Sequence, residues 1–222
     1  MKNIVLMGAP GSGKGTQGEM LKMELNLTKI ALGDILRDYR SDKSNPFSSR
    51  INETMDSGKL LPSDLVNEIA KDYILQNASK SNGFLLDGYP RKIDQAEFVD
   101  SIFQNDLQSK IQIAIMLEVS LNDLVDRLKY RQTCKKCGAT YNTKTLPTKI
   151  NGVCDHCGSS EFSTRKDDSE EQIIKTRFEE FTLSTMPVVE YYQSRRKLVK
   201  INANQAVENV YREIIDLIKS LQ

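Results

Sequence analysis

A glycine-rich turn set directly between an apolar run and a helical pattern constrains this chain more than any other feature. The turn is Gly8-Ala9-Pro10-Gly11-Ser12-Gly13-Lys14. Asn3–Met7 before it reads as a buried strand, and Met20, Leu21 and Leu25 after it fall at helical spacing. Glycines let successive backbone N–H groups turn inward around an anion, and the helix N-terminus adds a positive field. Lys14 supplies a point charge suited to the outer phosphates of a nucleoside triphosphate. The bland alternative is a tight strand-to-helix turn with a stray lysine. Strand, spacing and lysine together argue against it. The residue after the lysine is Gly15, not the Ser or Thr of the general motif, and Thr16 follows. Mg²⁺ is therefore expected to be held mostly through water.

Four further apolar runs, Thr28–Leu32, Gly83–Leu86, Ile111–Val119 and Leu198–Ile201, are candidate strands. Most are too continuous for a sheet with one wet face and suit buried parallel strands. Between them lie helical patterns at Leu65, Ile69, Tyr73 and Ile74, at Leu121, Leu124, Val125 and Leu128, and at Val207, Val210, Tyr211, Ile214 and Ile218. Strands alternating with helices predict a parallel α/β sandwich, and 222 residues suit one domain with insertions. Two stretches break the rhythm. One, near 33–62, is punctuated by Asn45-Pro46 and Gly58; the other, near 130–168, is polar, rich in Gly and Cys, and without a helical period. A formal net charge of +1 gives no global field toward nucleic acid or an anionic membrane. No apolar run is long enough to span a bilayer, and the N-terminus does not read as a secretory signal, so a cytoplasmic enzyme is expected.

Phe84-Leu85-Leu86-Asp87 ends a buried run with a carboxylate. Strand C-termini surround the ligand crevice of a parallel sheet, so Asp87 is placed to hold the water shell of Mg²⁺; a helix cap or turn is the plain alternative. Arg37, Arg91, Arg127, Arg131, Arg165 and Arg177 fall at element ends or beside turns. Arginine forks match phosphate oxygens and stay charged, although a single arginine is more often a solvated surface residue. Arg127 and Arg131 are one helical turn apart, so they share a helix face if the helix reaches that far. Ser169 and Gln172 form a capping-box pattern that would start a helix carrying Arg177. The chain has one histidine, His156, and no nucleophile–base pair is evident. An anionic acceptor needs no general base, so positioning and charge neutralisation would carry catalysis.

Cys134, Cys137, Cys154 and Cys157 form C-x₂-C-x₁₆-C-x₂-C, each pair followed by glycine. Four thiolates at this spacing favour tetrahedral Zn²⁺, with iron the alternative. A closed four-thiolate shell has no open position, which predicts a structural role and leaves His156 as an exposed knuckle residue.

With these residues assembled, the chain resembles the adenylate kinases over nearly its whole length. The matching words are GAPGSGKGTQ, GDILR, GFLLDGYPR with Gln95 beyond it, and TRKDD. The four-cysteine segment is similar to the long, zinc-bearing lid of bacterial members. The resemblance implies a P-loop NTPase-like five-stranded parallel core with two mobile insertions, an AMP-binding arm at 31–62 and an ATP-covering lid at 130–168. It implies reversible Mg²⁺-dependent transfer from ATP to AMP, giving two ADP, by a monomer without nucleic-acid or membrane partners. Carried over by position, Gly11, Ser12, Gly13, Lys14, Gly15 and Thr16 would wrap the ATP phosphates. Thr140, Tyr141 and Gln205 would lie on the ATP side. Arg127, Arg131, Arg165 and Arg177 would ring the transferring group, steadied by Asp167 and Asp168. Arg37, Arg91, Arg165 and Arg177 would hold the AMP phosphate, and Gln95 would read the adenine edge. Leu32, Lys59, Leu60, Leu61, Gly88, Tyr89 and Pro90 would complete the AMP side. The family usually has threonine where Leu32 stands, a second arginine at Gln132, and threonine at Lys92. Leucine in place of that hydroxyl is expected to weaken AMP binding about threefold to tenfold.

Three rival readings share parts of this pattern. A kinase for another small metabolite would share the loop and sheet but should lack Gln95 and the GDILR word. A UMP/CMP kinase would be expected to replace Gln95 and carry a short lid. A zinc ribbon on nucleic acid beside a P-loop motor draws support from Lys135, Lys136, Lys144 and Lys149. Scarce aromatics in that segment stand against it.

Overall fold

The computed structural model describes residues 2–56, 61–164, 168 and 170–221, without the side chains of Met55 and Asp56. Its centre is a five-stranded parallel sheet in the order β2-β3-β1-β4-β8. The strands are β1 (Lys2–Gly8), β2 (Thr28–Ala31), β3 (Gly83–Asp87), β4 (Ile113–Glu118) and β8 (Leu198–Asn202). Side chains alternate across the sheet, and both sides are covered. Ile4 and Leu6 face one apolar layer with Leu21, Val210 and Ile214. Val5 and Met7 face the other with Ile69, Val99 and Val188. A strand buried on both faces must be apolar at every position, which is why these runs are continuous.

The first layer comes from α1 (Lys14–Leu25) and α8 (Val207–Ser220). The second comes from α4 (Ser63–Asn77), α5 (Ile93–Ser101), a π turn at Ile102–Asp106, and α7 (Glu171–Ser194). α6 (Leu121–Lys129) is capped by Ser120, whose hydroxyl accepts from the backbone N–H of Asp123. Two shorter helices, α2 (Leu32–Ser41) and α3 (Ser48–Asp56), follow β2.

Between α6 and α7 lies a second sheet, antiparallel, in the order β6-β5-β7. Its strands are β5 (Arg131–Cys134), β6 (Thr140–Asn142) and β7 (Phe162–Ser163). Strands of two to four residues leave no legible alternation, so this segment read as irregular from sequence. α6 stops at Lys129 and Arg131 opens β5, so Arg127 and Arg131 do not share a helix face. α7 begins at Glu171 with Glu170 at its N-cap, one residue beyond the N-cap expected from the capping box; Ser169 lies outside the described residues. Leu32, expected to end a strand, is the first residue of α2 and is 6% exposed within the main core.

Candidate active site and metal centre

The loop after β1 and the end of β3 meet at one edge of the sheet. β1 pairs with β3 so that Leu6 lies beside Asp87, and β2 pairs with β3 so that Ala31 lies on its other side. Gly13 caps α1 with φ 98°, a backbone state that glycine alone adopts at little cost. Gly11 meets a second constraint: a Cβ there would lie 2.8 Å from Leu128 Cγ. Ser12 is buried, with its N–H on the Ala9 carbonyl at 3.0 Å. Gly15 and Thr16 form the first turn of α1.

Lys14 folds back over this loop, donating to the carbonyls of Gly8 at 2.7 Å and Ala9 at 3.0 Å. Removal from water lowers its pKa to about 8. The Asp87 carboxylate pulls the other way, and Arg91, Arg131 and Arg177 add their repulsion. Each of these groups is thus near enough to act on Lys14: one carboxylate and, with Lys14 itself, four cations contributed by the loop, β3 and its exit, the small sheet, and α7. Concentrated positive charge is what a triphosphate and a second phosphate group would neutralise.

Asp168 ties two of the cations together. Its Oδ2 accepts from Arg131 Nε at 2.7 Å and its Oδ1 from Arg177 Nη1 at 2.7 Å, and it is 4% exposed. A carboxylate buried this deeply requires such partners. Arg91 donates through Nε to the Gly88 carbonyl at 2.8 Å. The Gln95 side-chain oxygen accepts from the Arg91 N–H at 2.8 Å, so the glutamine braces the turn that carries this arginine. Tyr89 is buried and donates to Asn67 Oδ1 at 2.7 Å; its peptide bond to Pro90 is cis.

Other sequence-expected residues lie further out. Arg37 is exposed and paired with Asp34 on its own helix. Arg127 donates to the Ala203 carbonyl at 2.6 Å and so holds the turn after β8. Gln205, in that turn, donates to the Asn202 carbonyl and to Glu213, both at 2.8 Å. Leu61 packs on the main core. Lys59, Leu60, Arg165 and Asp167 lie outside the described residues.

Sequence reasoning missed Lys29. Its Nζ lies 3.4 Å from Asp87 Oδ2 and 3.0 Å from Glu19 Oε1, with the side chain 10% exposed. A lysine inside the short apolar strand Thr-Lys-Ile-Ala was the available signal.

In the small sheet, the sulfurs of Cys134, Cys137, Cys154 and Cys157 all lie within 4.8 Å of one another. Cys134–Cys157 is 3.6 Å and Cys137–Cys154 is 3.5 Å. A Zn–S bond of ~2.3 Å puts tetrahedral sulfurs about 3.8 Å apart, so the quartet fits that ion. It is the only such cluster among the described residues. Tyr141 is buried beneath it, its hydroxyl 3.4 Å from Cys154 Sγ and accepting from the Asp155 N–H at 2.8 Å. Burial opposes ionisation of Cys154, but hydrogen bonds from Tyr141 and from the N–H groups of His156 and Cys157 outweigh it, lowering the thiol to about 6. The Tyr141 side chain thus supports the Cys154 sulfur, with Phe162 and the exposed His156 against its ring. Thr140 opens β6 beside it.

The family model for adenylate kinase matches residues 6–197. The chain belongs to the adenylate kinase family. It is 40% identical over 217 residues to the adenylate kinase of Thermosipho melanesiensis, covering 98% of this chain and 99% of the relative. It is 38% identical over 216 residues to that of Rickettsia africae, with 97% and 98% covered. Against the Clostridium tetani adenylate kinase it is 36% identical over 219 residues, with 99% of each covered. Within the adenylate kinase fold, the five-stranded parallel sheet carries the phosphate loop, and the thiol quartet sits apart from it on the small sheet.

Proposed function

We propose that the crevice at the C-terminal ends of β1 and β3 is where a phosphoryl group passes from ATP to AMP, giving two ADP. The observation that carries this is the convergence of Lys14, Asp87, Arg91, Arg131 and Arg177. The loop Gly11–Thr16 wraps the ATP phosphates with backbone N–H groups, and Lys14 leaves its two carbonyls for the outer phosphates. Arg131 and Arg177, fixed by Asp168, neutralise charge spread over the transferring oxygens; Arg127 and Arg165 join them. Arg91, with Arg37 and Arg177, holds the AMP phosphate at attacking distance. The acceptor is an anion already, so no base removes a proton, and positioning with charge stabilisation supplies the rate.

Mg²⁺ suits the Asp87 carboxylate through its water shell and would share the charge of the outer phosphates. Gln95 keeps an amide edge and a second oxygen lone pair that match adenine. Residues 31–62 act as the AMP arm and 130–168 as the lid, with Zn²⁺ as the structural ion of the quartet. Thr140, the backbone at Tyr141, and Gln205 line the ATP side, while Lys59, Leu60, Leu61, Gly88 and Pro90 line the AMP side. A single chain that gathers all these groups fits a monomer, and its free thiols fit a reducing cytoplasm. Among the described residues, no helix is long and apolar enough to cross a membrane.

The test is a nucleotide panel with ATP as donor and AMP, GMP, CMP and UMP as acceptors, following diphosphate formation. AMP is expected to outperform the others by about fivefold to a hundredfold, because the wrong base leaves a buried amide unpaired at about 1–3 kcal/mol. A better rate with GMP, CMP or UMP would remove the acceptor assignment.

A further inference from the structure

We propose that Lys29 is a positioning residue that offsets the negative charge of Asp87 from the adjacent strand, and through it tunes the preference of the site for Mg²⁺-bound over metal-free ATP. The proposal rests on the reading that Asp87 faces the nucleotide's Mg²⁺. Lys29 sits on β2, one strand from Asp87, in the register that sets Ala31 beside Asp87. Its ammonium is shared between two carboxylates of different setting. Asp87 is in the crevice with a side chain 13% exposed; Glu19 is on α1 and 46% exposed. The Lys29–Asp87 contact is largely out of water, so salt screens it less than a surface pair.

The lysine is built in. A Cβ at Gly18 would lie 3.3 Å from Lys29 Cε and 3.6 Å from its Nζ, so the stem lies over a glycine in α1. Glycine inside a helix costs about 1 kcal/mol relative to alanine, and here it leaves room for that stem. Burial works against the charge of Lys29, but Asp87 and Glu19 outweigh it and raise the pKa, so the group is an ammonium at neutral pH.

The sign follows from charge alone. With Lys29 present, Asp87 is partly neutralised, which draws metal less strongly and repels free ATP less. Without it the crevice gains one unit of negative charge. Metal-free ATP, close to a tetraanion, is then repelled more than Mg·ATP, close to a dianion. Removing the charge of Glu19 acts oppositely, because Lys29 then leans on Asp87 alone.

The experiment measures dissociation constants for ATP with excess Mg²⁺ and for ATP in EDTA, by calorimetry on the full chain without AMP. The readout is their ratio, the preference for the metal complex. Lys29→Met, which keeps the apolar stem, is expected to raise that preference roughly threefold to tenfold. Glu19→Gln, at a half-exposed position, is expected to lower it about twofold. Unchanged ratios in both proteins, with wild-type circular dichroism, would overturn the proposal and leave Lys29 a structural ion pair. If Lys29→Met does not fold, Glu19→Gln decides alone, and an unchanged ratio there overturns it. Asp87→Asn separates the two layers. An unchanged ratio in that variant removes the Asp87–Mg²⁺ reading itself. A changed ratio there, with none in the other two, overturns only the role of Lys29.

Discussion

The five-stranded sheet buries side chains on both faces, Ile4 and Leu6 against one helix layer and Val5 and Met7 against the other. The three-stranded sheet has no such layers; its core is Cys134, Tyr141 and Cys154, with Ala139, Cys157 and Phe162 beside them. The difference separates two ways of holding charge. The large sheet is held by apolar burial, so its edge can crowd Lys14 with Arg91, Arg131 and Arg177 without losing the fold. The small sheet has only that small core, so its fold is expected to depend on its thiols. Chemistry should therefore fail without unfolding at the first site, and folding should fail without chemistry at the second.

The largest expected effect tests the first half of that contrast. Lys14→Ala is expected to lower kcat by about a thousandfold, since charge stabilisation is nearly the whole of the catalysis. Its circular dichroism and unfolding temperature should stay close to wild type. Near-normal turnover would show that the loop lysine is not on the phosphates.

The second half is tested by stripping the quartet with a chelator, or by Cys134→Ser with Cys154→Ser. Structural zinc in small peptides contributes about 10–16 kcal/mol to folding. A fraction of that, several kcal/mol, corresponds to about 10 °C in unfolding temperature for a chain of this size. Activity at low temperature should largely survive. Complete loss of turnover in a folded protein with an ordered small sheet would join the two regions and break the comparison.

A pH profile sharpens the account of Lys14. Its pKa of about 8 is depressed because removal from water and three arginines disfavour its charge. The free enzyme loses this positive charge as pH rises through that value. kcat/KM for ATP, which reports the free enzyme, should fall about tenfold per unit above it. Bound phosphates favour the ammonium, so kcat should hold to higher pH. Parallel declines in both parameters would mean that the nucleotide does not meet Lys14.

The smallest effect concerns Leu32. Packed in the main core at the start of α2, it should contribute mainly stability. Leu32→Thr is expected to cost about 1–2 kcal/mol, or roughly 2–8 °C in unfolding temperature. KM for AMP should move less than about twofold. A drop of threefold or more would place this side chain on the acceptor's base instead.

The strands of the sheet, the loop and the quartet were legible because each is written in short runs or fixed spacings along the chain. A strand buried on both faces has to be apolar throughout, and Gly8–Lys14 needs its glycines where the backbone turns. The antiparallel strands were not legible, because Phe162–Ser163 is too short to alternate. The length of α7 was not legible either: Pro187 lies inside a helix of 24 residues, where a proline would normally mark an end. Arg127 and Arg131 looked like neighbours at helical spacing until the chain left the helix at Lys129.

By itself, then, the sequence determined the parallel core, the glycine loop, the spacing of the four cysteines and the family. These depend on spacing along the chain, and spacing is what a sequence records. Tertiary structure alone decided which charges meet. Asp168 bridges Arg131 and Arg177 across 37 and 9 residues, Arg127 reaches Ala203 across 76, and Lys29 turns to Asp87 from the adjacent strand. Coulomb interactions depend on separation in space and on exclusion of water, and neither is fixed until the sheet has brought its strand ends together.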